Sequence, residues 1–517
     1  MSAMKMKFTS VAWLSVIWLM LFITSCSNSI LAPTKPVHDF APLRKFSAND
    51  LRKDFDMMRE MMEKFHPSLY WYTSKDSMDQ VFSFYRSAIT DSMTEQQYGF
   101  KILAPVITSV RCGHTSFNYS KPYSKAMRGV RLPSFPLNVK VWGDSMIVTG
   151  NLNKKDSIVK RGMLVNSIDG YTVKDITRIM FRHLPTDGYA ESINFIRLSN
   201  SFPYYHRNIF GLKKSYLVNL TDSTGYAKTV EVPLFDPMAD TLNKIKPEKK
   251  KKADKPTKKE RLNELRSIKI DQEKSSAVME LTTFDGGAQL QKFFRTSFKS
   301  LRKKNIDNLV IDIRANGGGR VNHYAKLARY VRTTPFKVAD SAYALHKGFG
   351  EYGKYFSTRT LNSLALGLFT SRKEDGLRHF KYWENHSFKP KRKDFYHGNV
   401  YVLIGGPTFS ASTLFAQTIK GQDNIKLIGE ETGGGSHGNN GLMIPYVTLP
   451  VTKMRVRMPL FRLVQYNHPP KDGRGVMPDF YVPPTSKAVL SYTDLKMQKA
   501  FELINTEKHK TAKQGQD

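Results

Sequence analysis

Cysteine is nearly absent from this chain: 517 residues contain two, Cys26 and Cys112. A disulfide scaffold is therefore not what holds it together, and a chain this long can bury cores large enough to do without one. Acidic residues are also short, 45 Asp and Glu against 80 Lys and Arg, a formal charge of +35. Such an excess is attracted to anionic surfaces. No nucleic-acid-binding module is recognisable, so no nucleic-acid partner is expected; anionic lipid, an envelope polymer or general solubility explains the charge better. No cofactor fingerprint is present either. The "NGGG" of 316–319 lacks the spacing and strand–helix context of a dinucleotide loop. Glu430 and Glu431 have no companions at ligand spacing, so neither a metal nor a cofactor is expected.

What is present begins with a leader. Lys5 and Lys7 precede an apolar run, "VAWLSVIWLMLFITSC", too short and wrongly flanked for a membrane span. It reads as a signal peptide, residues 1–26. Its end, Ile23-Thr24-Ser25-Cys26, resembles the lipobox of bacterial lipoproteins, which makes Cys26 the expected lipidated residue. With Cys26 consumed, no internal disulfide can form. The expected location is the bacterial cell envelope, with an acyl anchor in a membrane and a soluble body.

The rest, enough for about three domains, divides by composition. Residues 27–46, polar and holding Pro33, Pro36 and Pro42, read as a tether. A helix is expected after Ser47, with Asp50 as capping-box partner and Leu51, Phe55, Met58, Met62 and Phe65 on one face. His66-Pro67 ends it. A second helix starts near Thr94 with Gln97, giving a helical N-terminal domain over 47–118. Residues 130–237 hold short apolar strands and a turn at Asp169-Gly170, a β-rich module. Residues 244–260 hold nine basic and three acidic side chains, an exposed flexible insert. From 273 to 495 buried strands ("NLVIDIR", 308–314; "NVYVLIGG", 399–406) alternate with helices, an α/β core with a largely parallel sheet. Residues 496–517 read as a polar tail.

Both glycine-rich turns, 316–319 and 405–406, fall at carboxyl ends of strands, where ligands bind in such sheets. Between strand and helix stands Ser410, in "GGPTFSASTLF". It is either a helix cap, a common use of serine, or a nucleophile. A nucleophile needs a base and a site for the developing negative charge. The helix start offers Ala411 N–H for the second, and Gly318 or Gly319 N–H can supply another donor.

Four segments carry a resemblance to the C-terminal processing (tail-specific) proteases, the S41 serine peptidases. They are "SVRCGHTSF" at 109–117, "LVIDIRANGGG" at 309–319, "GPTFSASTLFAQTIKGQDNIKLIGEETGGG" at 406–435 and "GRGVMPDFYV" at 473–482. The resemblance spans nearly the whole mature chain and puts Ser410 in the nucleophile position. It implies a ClpP/crotonase-like spiral α/β core. It also implies an inserted PDZ-like domain at 130–237, similar in its "RGMLVNSIDG" and able to bind a substrate's C-terminus.

The family uses two bases. One branch has a lysine 25 residues after the serine; here that residue is Gly435, and no lysine lies between 427 and 450. The other branch, resembling the tricorn and retinoid-binding-protein-like members, uses an earlier histidine, and His114 matches it. A histidine is substantially neutral at pH 7 and can take the serine proton. His437 is the rival. Asp472 is the expected third residue, with Thr115 and Ser116 as neighbours that can also serve, and Asp479 as structural. Cys112 is not expected to be a nucleophile, because Ser410 has that setting. The expectation is a lipid-anchored serine peptidase acting on envelope proteins or peptides, with Gly318 or Gly319 and Ala411 holding the oxyanion. The alternative is an inactive lipoprotein of the same fold that binds peptide tails or an apolar ligand.

Overall fold

The structure, a computed structural model, describes residues 43–238 and 256–514. The leader, the tether as far as residue 42, Cys26, and most of the lysine-rich insert lie outside the described residues. No helix among the described residues is long and apolar enough to cross a membrane.

The chain enters through α1 (Ala48–Phe65), whose first turn is capped by Ser47 Oγ accepting from Asp50 N–H. The reciprocal half of the expected box is not made: the Asp50 carboxylate takes Lys53 instead. The second box is complete, Thr94 with Gln97, and opens a continuous helical stretch through Ser109. Leu51, Phe55, Met58, Met62 and Phe65 are all buried and join one apolar cluster with the sheet of the core. Polar capping ties the same helix down. The buried Asp54 carboxylate accepts from Val451 N–H, Thr452 N–H and the Thr452 hydroxyl at 2.6–2.8 Å.

Residues 135–235 build a separate apolar core. Its strands β1 (Leu137–Trp142), β2 (Ser145–Asn151), β3 (Leu164–Ile168), β4 (Ser215–Thr221) and β5 (Ala227–Pro233) form an antiparallel sheet in that order. Helices α2 (Val173–Phe181) and α3 (Ser192–Phe210) cover it. The loop between these helices, 182–191, reaches outside this module: Gly188 N–H donates to Arg111 O and Tyr189 N–H to Gly473 O.

The core sheet runs β6 (Arg266–Asp271), β7 (Ser276–Leu281), β8 (Asn308–Asp312), β9 (Asn399–Ile404), β10 (Ile425–Gly429), β11 (Phe480–Tyr481) in spatial order. Only the β6–β7 pair is antiparallel. A second, antiparallel five-stranded sheet contains Ala339–Ala344, Arg462–Gln465 and Gly438–Asn439. This corrects the expected ClpP/crotonase-like spiral. Strands β7 to β11 are hydrogen-bonded side by side in one open layer, with register Ile311↔Val402 and Leu403↔Ile428. The remaining core strands form separate sheets, the five-stranded one and a three-stranded one of Tyr446–Thr448, Arg455–Arg457 and Ser116–Asn118, and do not wind on as further spiral turns.

Two segments are more ordered than expected. Residues 258–260 open a helix (Lys258–Leu265) through a Thr257/Glu260 capping box. The polar tail is a helix, Leu495–Gln514, that lays Ala500 and Ile504 against Val310, Tyr401, Leu403 and Ile428. These are the alternate residues of β8, β9 and β10, whose other faces point into the main core.

Two buried histidines make the fold acid-sensitive. Burial pulls His66 and His206 down from 6.5 to about 4. His206 stacks on Phe135 with ring centroids 4.6 Å apart. The unfolded chain takes up these protons near pH 6.5, and the folded chain only near pH 4. Stability is therefore full above pH 6.5 and falls as pH drops toward 4, by at most about 3 kcal/mol per histidine. His206→Phe is expected to lose its share of this slope. Urea midpoints at pH 5 and pH 7 should lie closer together in the variant than in wild type; an unchanged gap would mean His206 titrates normally.

Candidate active site

Ser410 follows β9 and the turn 405–409, and α4 (Ala411–Ile419) starts directly after it. Its backbone lies at φ +54, ψ −123, and its side chain makes no capping hydrogen bond. A non-glycine residue held there is strained, and such strain survives only where the surroundings fix it. They do so here through Thr408. Its carbonyl accepts from Gly433 N–H, Gly434 N–H and Thr413 Oγ at 3.0–3.3 Å, and its hydroxyl donates to Ile313 O at 3.0 Å. Phe409 N–H donates to Asn316 O, joining the two glycine-rich turns.

Gly318 sits hard against the serine. A Cβ there would lie 2.8 Å from Ser410 Cβ, at a φ of +102 that side chains avoid. Its own N–H is spent on Asn316 Oδ1 at 3.0 Å. The free donors at this corner are Gly319 N–H and Ala411 N–H, which have no hydrogen-bond partner among the described residues.

His114 projects from the turn 112–115, where Thr115 N–H closes on Cys112 O. The Thr115 hydroxyl is engaged by His66 Nε2 at 2.8 Å. The imidazole is 5% exposed and lies against the Phe409 ring, centroids 4.7 Å apart. Its Nε2 and Ser410 Oγ face one small space. A Cβ placed on Gly441 would be 2.8 Å from Ser410 Oγ, 3.0 Å from His114 Nε2 and 3.0 Å from Asn439 Oδ1. No hydrogen bond joins Nε2 to the serine in this arrangement.

The carboxylate at the other ring nitrogen is Asp187, not Asp472. Asp187 Oδ1 lies 3.5 Å from His114 Nδ1 and accepts from Gly113 N–H at 2.8 Å; the residue is 4% exposed. Asp472 is exposed and accepts from Arg474 N–H. Its loop acts one step removed: Gly473 O takes Tyr189 N–H at 2.7 Å and so braces the loop that carries Asp187. His437 is directed elsewhere, its Nδ1 on Pro469 O and its ring beside Trp71. Ser116 is spent in a short strand against Arg457. Asp479 secures the sheet by accepting from Leu427 N–H. Glu430 pairs with Lys496, and Glu431 with Arg474 and Gly475 N–H.

Besides Asp187, sequence reasoning missed Asn439 and Gly441. Asn439 Oδ1 accepts from Gly441 N–H at 2.9 Å, while its Nδ2 is buried without a partner. The only local signal for Gly441 was its place in the glycine-rich run after 433.

Residues 275–482 match the profile of peptidase family S41. No curated protein sequence matches. Among solved structures, mature CPAF superposes at a TM-score of 0.57 with 13% identity, covering 88% of this chain and 96% of that one. Mature CPAF complexed with lactacystin gives 0.56 at 13%, covering 88% and 98%. A putative peptidase from Parabacteroides merdae ATCC 43184 gives 0.44 at 13%, covering 89% and 97%. The S41 match over that stretch supports a hydrolytic peptidase function in general. The fold is like that of mature CPAF, in place of the expected spiral.

Proposed function

We propose that this protein is a serine peptidase in which Ser410 attacks the peptide carbonyl and His114 is the base. The reading rests on one observation: Ser410 Oγ and His114 Nε2 converge on the same point beside Gly441, with Asp187 behind the ring. His114 takes the serine proton on Nε2 and returns it to the leaving amine. Asp187 favours the proton on Nδ1 and the imidazolium that forms. Gly319 and Ala411 N–H receive the oxyanion, Ala411 at the positive end of α4. Gly318 contributes by being small, since its N–H is engaged. The partner is a peptide or protein chain whose tail can add to the PDZ-like sheet. A lipid on Cys26 would hold the enzyme at an envelope membrane, which defines envelope proteins as its substrates.

A fluorophosphonate probe with peptide mass spectrometry tests the chemistry. Label is expected on Ser410 of wild type and is expected to disappear in Ser410→Ala and His114→Ala. Folded wild-type protein that takes no label would overturn the reading in favour of a peptide-tail-binding lipoprotein.

A further inference from the structure

Cys112 has no part in this mechanism, yet it lies at its centre. A ligand atom from each of Cys112, His114 and Asp187 lies within 4.8 Å of the other two, and all three residues are buried. Both His114 ring nitrogens and Asp187 Oδ2 lack any hydrogen-bond partner among the described residues. A buried polar atom left unpaired is destabilising, and an unoccupied ion position is one of the recognised reasons for it. We propose that Cys112, His114 and Asp187 form an inhibitory site for a thiolate-seeking divalent cation, zinc above all. The proposal rests on His114 being the catalytic base.

The donor set fits the ion. Thiolate and imidazole select zinc over magnesium or calcium. Zinc takes sulfur at about 2.3 Å and nitrogen or oxygen at about 2.0–2.2 Å, leaving a fourth position for water. Charge balances as well. On binding, the Cys112 thiol releases its proton to water and a zinc–sulfur bond forms. The thiolate and the Asp187 carboxylate then neutralise the dication, so that no net charge is buried. Without metal the thiol stays protonated, its pKa pushed up to about 12 by burial.

Inhibition follows from the tautomer. Nε2 faces Ser410 and Nδ1 faces Asp187. A metal on Nδ1 uses that lone pair and leaves the ring proton on Nε2. The nitrogen facing the serine then has no lone pair with which to take its proton. The metal would also draw Asp187 from the ring to itself. The pocket would thus exchange an active state for a silent one without moving the backbone.

Cobalt(II), the spectroscopic stand-in for zinc, tests the site. The full chain carries Cys26→Ala throughout, so that Cys112 is the sole thiol. One cobalt per chain is expected to give a sulfur-to-cobalt charge-transfer band in the near ultraviolet, displaced by zinc and absent in Cys112→Ala. Zinc is expected to reduce fluorophosphonate labelling of Ser410 to the level of His114→Ala, and to leave labelling of Cys112→Ala unaffected. Cys112→Val repeats the comparison should the alanine cavity destabilise the fold. Absence of the band from folded protein overturns the proposal, as does equal zinc inhibition with and without the thiol. A band on protein that no probe labels would instead retain the metal site and discard the catalytic reading.

Discussion

Asp187→Asn is expected to lower kcat/KM by about 10²- to 10⁴-fold, whereas Asp472→Asn should stay within about twofold of wild type. The asparagine keeps an oxygen to accept from Gly113 N–H, so the turn that presents His114 survives. What changes is the group facing Nδ1. An amide N–H there donates to the ring, which drives the ring proton onto Nε2, the nitrogen that must accept from Ser410. The loss corresponds to about 3–5 kcal/mol of transition-state stabilisation. Its upper end requires the 3.5 Å gap between His114 and Asp187 to close when substrate binds. Thermal melts distinguish this from general damage: kcat should fall in Asp187→Asn while the melting temperature barely moves. Equal losses in both variants would return the Asp472 loop to candidacy and make Asp187 a mere brace.

Asp187 also shows where sequence reading stops. The elbow at Ser410 and the turn at 316–319 were legible because each is local: strand, glycines, helix start. His114 was legible only through the resemblance, since a lone histidine in a turn carries no signal of its own. Asp187 had none. It sits in the loop between two helices of the β-rich module, and only the docking of that module on the core brings it to the ring. Asp472, expected as the third residue, is exposed; it is its neighbour Gly473 that holds the Asp187 loop, through Tyr189. The helix after Leu495 was hidden by its lysines. Its buried residues Ala500 and Ile504, with Met497, Phe501 and Leu503 partly buried beside them, recur at helical spacing in a stretch otherwise polar enough to pass for a tail. Periodicity showed that strands and helices alternate in the core, but not how they wind, so the spiral was an inference from kinship and the pairing of strands overturned it.

Gly441→Ala should abolish labelling and turnover while leaving the protein as stable as wild type. The added methyl would lie 2.8 Å from Ser410 Oγ and 3.0 Å from His114 Nε2, well inside the contact distance of about 3.5 Å or more that a carbon needs. It would fill the space through which the proton must pass. These two and the third neighbour, Asn439 Oδ1 at 3.0 Å, are all side-chain atoms that can swing aside, and Gly441 does not adopt the positive φ that penalises alanine. The fold therefore has a cheap way to accommodate the methyl, but the catalytic pair does not. Gly318→Ala makes the opposite comparison. Its Cβ would strike the Phe409 carbonyl and the Ser410 Cβ at 2.8 Å from a backbone at φ +102, where nothing can yield except the elbow itself. That variant should lose activity and stability together, with a melting point several degrees lower for the strain of about 1–3 kcal/mol that such positions carry. Thermal melts run beside fluorophosphonate labelling separate the two effects. If Gly441→Ala labels at the wild-type rate, Ser410 and His114 do not work across that space, and the base must reach the serine from another side.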